Sequence, residues 1–376
     1  MTLEPTKTEP TPEKQDKRSS SMSSTPVQIT LEITPRQRFD IIDVTERVQE
    51  EFGDILQRYA KAVYCSLHTT AGYLEQSLSA RLLHSRNHVD PFIRAFRNLF
   101  PPDANYRHDQ LELRTELSEE QRKVEPKNAD SHLIFISSGL RNCVTYKNKP
   151  DQPVYFIDLD GVNGESARRR KTSILAYNEE REVHRVRIPV GMSGHQVDSI
   201  NLKDPRIGFM EELNTYLDRF GVDKGKIDIS LPVDEKNAGL TVNEYETLLM
   251  RYDLIEVLRN PLRFAAMQGK HMLLDPRAIP SKTLNYAKYD LVHVFNELMD
   301  AFRVSSSVVE KILAKFIAVP AERFLRMKKG VSLLVSNEDN GKSRIVQGTY
   351  QSPILVQWQP TENQTRHIDV VITKFD

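Results

Sequence analysis

The sequence predicts an α+β fold that contains two consecutive copies of one strand–helix–strand unit, the second enlarged by a helical layer. In each copy an alternating apolar strand, at residues 61–67 and again at 226–233, leads into a polar turn and an Ala-Gly pair. Such alternation is the pattern of a half-buried strand. The first turn carries His68, whereas the second carries Glu235-Lys-Asn in its place. If the chain is an enzyme, the first copy therefore holds the site.

Composition limits the classes of partner. The 376 residues are enough for two domains that each bury a core. Lys and Arg number 52 and Asp and Glu number 52, so no net charge draws the chain to nucleic acid or to a membrane surface. No apolar run is long enough to span a bilayer. We therefore expect neither nucleic acid nor membrane as a partner.

The first residues and the cysteines indicate where the protein resides. Residues 1–26 are rich in Pro, Thr, Ser, Glu and Lys without an apolar core region, which is typical of a disordered tail rather than a secretory signal. Cys65 and Cys143 are too few for a disulfide framework. Cys65 lies on the apolar face of a predicted strand, and we interpret both cysteines as core residues. The expected localisation is cytoplasmic.

The first copy, residues 27–180, begins with an alternating strand at 27–33. A helix follows Asp43, which resembles a capping box with Glu46. After the His68 strand, a helical stretch at residues 82–100 stops at Pro101-Pro102, and the charged segment 112–127 is expected to be mobile. Apolar runs bounded by turn residues then predict strands at 131–136, 142–146, 153–159 and 171–177.

The second copy, residues 181–376, restarts the same order. Asp204 is a helix N-cap with Pro205 at the first helical position. The strands are predicted at residues 183–190, 196–202, 227–233, 343–350, 353–359 and 367–374.

An insertion at residues 244–329 interrupts the second copy. Its apolar stripe predicts a helix, and Ser307 with Glu310 caps another. The stripe consists of Leu291, Phe295, Leu298 and Phe302. We expect a helical layer that covers one face of the second sheet.

Five ordered blocks of the first copy carry a resemblance to a known family. They are Leu67-His-Thr-Thr-Ala71, Asp90-Pro91, Asn105-Tyr-Arg-His-Asp109, Asp130-Ser-His-Leu133 and Phe156-Ile-Asp-Leu-Asp-Gly161. In this order they resemble the YjbQ family, described as secondary thiamine-phosphate synthase-like, over residues 27–178. The second copy resembles it more faintly, through residues 238–244 and 348–351. The resemblance implies a β-sandwich or barrel-like unit that forms homotrimers, so we expect a homo-oligomer or an intramolecular pseudo-oligomer.

The chain departs from the family pattern in two places. The family follows its His-Thr-Thr-Ala block with an Asn-Glu-Asn cluster close to Asp-Pro, whereas residues 73–89 are longer and altered here. The second copy keeps Asn243-Glu244 but lacks the histidine. Either the site is composite across the two copies, or activity has decayed.

The resemblance implies that His68, His108 and His132 gather in one cleft, and these are the predicted catalytic residues together with Asp109. One histidine would act as general acid or base and another would hold an anion. Sequence spacing alone favours ordinary surface or core histidines, because the three are far apart in the sequence. The resemblance favours a functional cluster.

A divalent metal is the predicted cofactor, with zinc and magnesium both open. Three neutral imidazoles from His68, His108 and His132 would bind zinc and leave one position for water or substrate. Asp109 would then orient the ring of its neighbour, His108. The carboxylates of Asp158 and Asp160 suit Mg²⁺, although a turn at Asp160-Gly explains the second.

Four residues are predicted to bind the substrate. The hydroxyls of Thr69 and Thr70 follow a strand, where they would face a phosphate or only complete their own turn. Arg168 and Arg170 belong to the densest basic run, which would bind phosphate oxygens or form a solvated strand face. The expected ligand is a small phosphorylated compound.

The resemblance implies a transferase reaction that joins a pyrimidine methyl diphosphate to a thiazole phosphate with loss of pyrophosphate. Such a displacement requires cations around the leaving pyrophosphate and two rings held in line. The word "secondary" implies a side activity, which leaves the natural substrate open. The alternative is a non-catalytic binding or assembly protein, in which duplication replaced part of a trimer.

Overall fold

The computed structural model describes residues 25–102, 104–164, 166–259, 328–337 and 344–376. The elements of the first half are β1 (Val27–Ile33), β2 (Asp40–Asp43), α1 (Val44–Phe52), β3 (Lys61–Ser66), β4 (Ala71–Gly72), α2 (Gln76–Arg81), α3 (Arg86–Leu99), α4 (Glu119–Val124), α5 (Ala129–Ser137), β5 (Cys143–Lys147), β6 (Tyr155–Asp158), β7 (Val162–Asn163), β8 (Ser166–Ala167) and β9 (Arg170–Tyr177). Those of the second half are β10 (Glu180–Gly191), β11 (Asp198–Asn201), α6 (Phe209–Arg219), β12 (Lys224–Ser230), β13 (Ala238–Asn243), α7 (Leu254–Arg259), β14 (Gly330–Ser336), β15 (Ile345–Val346), β16 (Ser352–Gln357) and β17 (Thr365–Phe375).

Each half contains a larger and a smaller antiparallel sheet. In the first half the strand orders are β1-β9-β3-β5 and β2-β6-β4, and in the second they are β10-β17-β12-β14-β15 and β11-β16-β13. Strands at corresponding places along the chain therefore occupy corresponding places in the sheets, with β15 as an addition. The strands β7 and β8 form a separate hairpin. The predicted α+β class is confirmed.

The two halves share apolar cores. One cluster combines Phe92 and Phe96 of α3 and Leu133 of α5 with Leu254 of α7 and Ile354 of β16. Because these buried apolar side chains pack against one another, the first half's helices and the second half's small sheet are held together by apolar burial. This contact determines which polar residues meet at the junction between the two halves.

The packing of the two halves also determines how fully individual strands are buried. In β12 the residues alternate between buried and partly exposed, as the sequence pattern predicts for a strand with one covered face. In β3, by contrast, every residue after Lys61 is buried. Tyr64 contacts the first half's own core, whereas Val63 and Cys65 lie in a cluster with Leu334 of β14. The second half thus covers the outer face of the first half's large sheet.

The predicted start of α1 is confirmed. The carboxylate of Asp43 accepts hydrogen bonds from the backbone N–H groups of Thr45 and Glu46. These N–H groups have no partner within the helix, so an N-cap side chain satisfies them. The helix ends at Gly53, whose φ of 64° lies in the left-handed region that glycine tolerates.

The strand predicted at residues 131–136 is wrong, because this segment belongs to α5. All nine residues of α5 are buried. A short apolar run that is buried on all sides shows neither helical nor strand periodicity, so sequence alone does not separate the two. The correction matters for the site, because α5 carries His132.

Other elements differ in extent from the elements that the sequence predicts. The helical stretch predicted at 82–100 is two helices, α2 and α3, separated by the left-handed residues Leu83 and His84. The segment 112–127, predicted to be mobile, contains α4 with a complete capping box. Asp204 caps a 3₁₀ turn, Pro205–Ile207, and α6 begins only after Gly208.

The insertion is described in part. A π-helical turn at Leu249–Asp253 leads into α7. The predicted stripe and the cap at Ser307 lie outside the described residues. The strand predicted at 343–350 is reduced to the two residues of β15. Within the described ranges, no helix combines the length and apolarity that crossing a bilayer requires.

Candidate active site

Two buried histidines lie side by side where the halves meet. The rings of His108 and His132 have their centroids 5.4 Å apart and cross at 75°. His132 lies on α5, and His108 lies in the loop that follows α3. Residues of the second half, at the end of β13 and directly after it, contact both rings, and Asn128 of the first half contacts His108. The pair is therefore contacted by side chains from both halves.

Asn243 determines the tautomer of His132. Its Oδ1 accepts a hydrogen bond from the backbone N–H of Glu244 at 2.8 Å and lies 2.6 Å from His132 Nδ1. Because a backbone N–H only donates, the atom facing it is the amide oxygen. That oxygen can only accept, so His132 Nδ1 must carry the hydrogen of the second hydrogen bond to it. In the neutral ring, Nε2 is then the nitrogen with a free lone pair.

The free nitrogen of His132 is buried and unused. Nε2 has no hydrogen-bond partner among the described residues, and Glu244 Oε2 lies 3.7 Å away. Burial, and next the charge of His108, lower the pKa of His132 to about 3. The ring is consequently neutral at pH 7, with its basic nitrogen directed toward Glu244. The pKa of the Glu244 carboxyl is itself raised by burial.

The contacts of His108, unlike those of His132, favour the ring with hydrogens on both nitrogens. Its Nδ1 lies 2.9 Å from Glu246 Oε2, and its Nε2 lies 3.2 Å from Asn128 Oδ1. Asn128 donates its Nδ2 hydrogen to Asp160 Oδ2, which turns the amide oxygen toward the ring. Both ring nitrogens therefore face acceptors, so both carry hydrogens. Burial is the largest single influence and alone would lower the pKa of His108, but the hydrogen bond to Glu246 and the charges of Glu244 and Glu246 together raise it.

The second half fixes His108 through two carboxylates. Burial raises the pKa of Glu246, but the hydrogen bonds from His108, Leu248 N and Leu249 N outweigh this and hold it at about 2. Asp253 accepts the backbone N–H groups of Arg107 and His108, each at 2.9 Å. Burial raises the pKa of Asp253 to about 6. Charge and backbone position at His108 are thus both set from across the junction.

The pair combines a base and an acid at one point. Titratable neighbours whose environments push their pKa values apart are the usual arrangement of a general base beside a general acid. A water molecule or a substrate hydroxyl between His132 Nε2 and Glu244 Oε2 would hydrogen-bond to both. The arrangement can therefore remove a proton from one group and supply a proton to another.

His68 does not join this pair through any described contact. Its Nε2 accepts the backbone N–H of Lys171 at 2.7 Å. Burial, followed by the charges of Arg170 and Arg168, lowers its pKa to about 3. The structure therefore brings together two of the three predicted histidines.

The residues do not fit the predicted metal site. Within the ranges that the structure describes, no group of three His, Cys, Asp or Glu side chains is arranged to hold a metal ion. His108 uses both ring nitrogens as donors and has no lone pair to offer a metal.

The predicted role of Asp109 is corrected. Its Oδ1 accepts the backbone N–H of Ala129, at the start of α5, at 3.0 Å. The ring of His108 is instead held by Glu246 and Asn128. Adjacent residues of a loop point in different directions, and Asp109 satisfies an N–H of the helix that carries His132. Burial raises the pKa of Asp109.

Two of the predicted phosphate-binding residues, Thr70 and Arg170, are buried in an internal network. The guanidinium of Arg170 binds Asp158 through two hydrogen bonds, of 2.7 and 2.8 Å, and also donates to the carbonyl of Asp160. It lies 3.3 Å from Thr70 Oγ1. Arg170 is therefore not on a solvated face, and Asp158 is not free for Mg²⁺.

Arg168 and Thr69 are more accessible. Arg168 Nη2 pairs with Asp160 Oδ2 at 2.7 Å while part of its side chain stays exposed. Asp160 also accepts the Asn128 amide, so a chain of polar contacts runs from Arg168 to His108. Thr69 is partly exposed. These two remain candidates for contact with a substrate anion.

Sequence reasoning did not find four residues of the site. Two of them could have been found from their position in the sequence. Glu246 lies two residues after Glu244, and Asn128 lies two residues before the block that begins at Asp130. Asp253 and Arg114 had no such signal, because the contacts that connect them to the site, from Asp253 to His108 and from Arg114 to Glu244, cross long distances in sequence. Arg114 is buried between Glu116 and Glu125, at 2.7 and 2.9 Å, and lies 3.8 Å from Glu244.

Comparison with known proteins gives structural relatives only. No known family's sequence profile matches the chain, and no curated protein matches it. Solved structures that are similar include a YbjQ-like protein of unknown function from Sulfolobus solfataricus P2, with 15% identity, 52% of this chain and 99% of that chain covered, and a TM-score of 0.27. An uncharacterized conserved protein of the YjbQ family from Clostridium acetobutylicum has 14% identity, coverage of 50% and 98%, and a TM-score of 0.26. A hypothetical protein from Aeropyrum pernix K1 has the same four values.

Proposed function

We propose that the chain is a YjbQ-like enzyme whose acid–base site is built jointly by two duplicated copies. His132 is the general base and His108 the general acid. The observation that carries the proposal is the pair of adjacent buried rings with different partners, His132 Nδ1 on Asn243 Oδ1 and His108 Nδ1 on Glu246 Oε2. The repeated strand order of the two halves supports the duplication.

Each residue has a defined task in this proposal. His132 Nε2 takes a proton from the water or substrate group that Glu244 orients. His108 gives up the hydrogen on Nε2, which is held only by the longer contact of 3.2 Å to Asn128. Glu246 stays ionised and stabilises the imidazolium between turnovers. Arg168 and Thr69 would hold the anionic part of the substrate, with phosphate competing against Asp160 for the guanidinium.

The first reaction to test is the one that the family resemblance implies. A pyrimidine methyl diphosphate and a thiazole phosphate would form thiamine phosphate, as the bond to pyrophosphate breaks and the bond to the thiazole nitrogen forms. His108 would supply a proton to the departing pyrophosphate. His132 would take a proton from the amino group of the pyrimidine as the bond to pyrophosphate breaks, and would return it as the bond to the thiazole nitrogen forms. The natural substrate would be a small phosphorylated compound of the same kind.

A non-catalytic role is the second candidate, and one observation favours it. Arg170 and Arg114 are both buried and already neutralised by internal carboxylates, so neither offers a free anion site. In that case the histidine pair would be a polar contact that fixes the two halves in register. Absence of turnover with any phosphate ester would favour this candidate.

The pH dependence of thiamine phosphate formation tests the enzyme proposal. Activity needs His132 neutral and His108 protonated. Because the pKa of His132 is about 3, titration of His132 should cause no loss of activity in the mildly acidic range. Because the pKa of His108 is raised above 6.5, activity should be lost as the pH rises through that raised value. Steady-state rates from mildly acidic to alkaline pH measure this.

The control for the pH profile is His108→Asn, which keeps a polar side chain without a titrating ring. The variant should be slow and should lack the alkaline loss. An alkaline loss of the same shape in the variant would assign it to another group and remove His108 from the acid role.

A further inference from the structure

The two cysteines face each other across neighbouring strands. In the antiparallel pair β3–β5, Cys65 lies directly opposite Cys143. The backbone N–H of Ser66 donates to the carbonyl of Asn142 at 2.7 Å, so those two residues form a hydrogen-bonded pair. Hydrogen-bonded and non-hydrogen-bonded pairs alternate, and the cysteines therefore form a non-hydrogen-bonded pair. Such pairs have Cα atoms about 4.5 Å apart, within the range of about 4.4–6.8 Å that disulfides use.

The two thiols are close neighbours. Both are free and buried, and the thiol of Cys65 is the first cause of the raised pKa of Cys143. Both belong to the apolar cluster in which β3 and β5 meet Leu334 and Val346 of the second half. The side chains are therefore on one face of the sheet at directly opposite positions, so that a rotation of the side chains brings the sulfur atoms together without backbone movement.

We propose that Cys65 and Cys143 form a reversible cross-strand disulfide, with a low-molecular-weight disulfide such as oxidised glutathione as the oxidant. One cysteine thiolate attacks the glutathione disulfide and releases one glutathione thiol. The second thiolate attacks the resulting mixed disulfide, forms the Cys65–Cys143 bond and releases the other glutathione thiol. Two electrons pass to glutathione, and the two protons of the cysteines end on its thiols.

Access of the oxidant to the thiols controls the rate of disulfide formation. Cys65 and Cys143 are buried, and a buried thiol reacts slowly because the thiolate is the nucleophile. The hydrogen bond to Cys65, followed by burial, raises the pKa of Cys143. β5 is the outer strand in the order β1-β9-β3-β5, and outer strands open more readily than central ones. Oxidation thus proceeds when β5 opens or while the chain folds, and the closed reduced form is protected.

The bond would act on the segment that carries the site. His108 and His132 both lie between the two cysteines in sequence, so the disulfide closes this segment into a loop. Closing a long loop removes conformational freedom from the unfolded chain and stabilises the folded one. This effect does not depend on the chemistry of the histidine pair.

Refolding in a glutathione redox buffer tests the proposal on the full chain. The reduced, denatured chain is refolded with oxidised and reduced glutathione, denatured again, alkylated and digested for mass analysis. The expected products are a linked peptide pair containing Cys65 and Cys143, no alkylated cysteine, and a melting temperature above that of the chain refolded under reducing conditions.

Three results would overturn the proposal. They are two alkylated cysteines per chain, cysteines found only as mixed disulfides with glutathione, and disulfides only between chains. Cys143→Ser is the matched control, because it keeps a small polar side chain and cannot form the bond. Its melting temperature should be the same under both conditions, and a rise equal to that of the unsubstituted chain would refute the stabilising role.

Discussion

Replacing His132 with glutamine is expected to lower kcat/KM for thiamine phosphate formation by about 10²–10⁴-fold, the usual contribution of a general base. Glutamine can still donate a hydrogen bond toward Asn243, but it has no basic nitrogen to accept a proton. The loss should appear mainly in kcat, because proton transfer occurs in the transition state. Steady-state kinetics of the purified variant measure it.

His195→Gln is the control for this substitution, because the side chain of His195 is exposed and lies in the second half. It should keep the kinetics of the unsubstituted protein. Circular dichroism of both variants establishes that each is folded. A folded His132→Gln variant with unchanged kcat/KM would remove His132 from the chemistry.

Replacing Arg170 with methionine is expected to lower the free energy of unfolding by about 3–5 kcal/mol, the cost of breaking a buried ion pair from one side. Asp158 is wholly buried, and Arg170 supplies both of its charged hydrogen bonds. Without the guanidinium, Asp158 must lie unpaired in the core or take up a proton. Urea unfolding followed by circular dichroism measures the difference.

The neighbouring residue provides the control. Arg169 is exposed, so Arg169→Met should change the free energy of unfolding by less than about 0.5 kcal/mol. The double variant Asp158→Leu, Arg170→Met removes both charges and should recover much of the loss. Equal stability of Arg170→Met and Arg169→Met would show that the buried pair does not stabilise the fold.

Local sequence signals predicted the elements whose determinants are themselves local. The Asp43 cap and the alternating strand β12 need only their own residues and near neighbours. The segment of α5 was misassigned because its surroundings, not its own pattern, decide between helix and strand. Its residues are covered on every side by elements from both halves.

The site was predictable only in part for the same reason. The ordered motifs pointed to His108 and His132, but not to their different protonation states. Those states depend on Glu246 and Asn243, which lie more than a hundred positions away in the chain. The sequence left open a composite site or a decayed one, and the contacts across the junction favour the composite site. His68 was grouped with the pair because the order of motifs along the chain does not indicate how far apart they lie in the fold.

The protonation of the two rings is the most direct test of the account, and it requires no substrate. Long-range ¹H–¹⁵N NMR correlations of the imidazole nitrogens at pH 7 distinguish the two tautomers and the imidazolium. The account predicts a neutral His132 with its hydrogen on Nδ1 and a His108 with hydrogens on both nitrogens. A His132 protonated on Nε2, or two rings that both titrate near the ordinary value of 6.5, would contradict it.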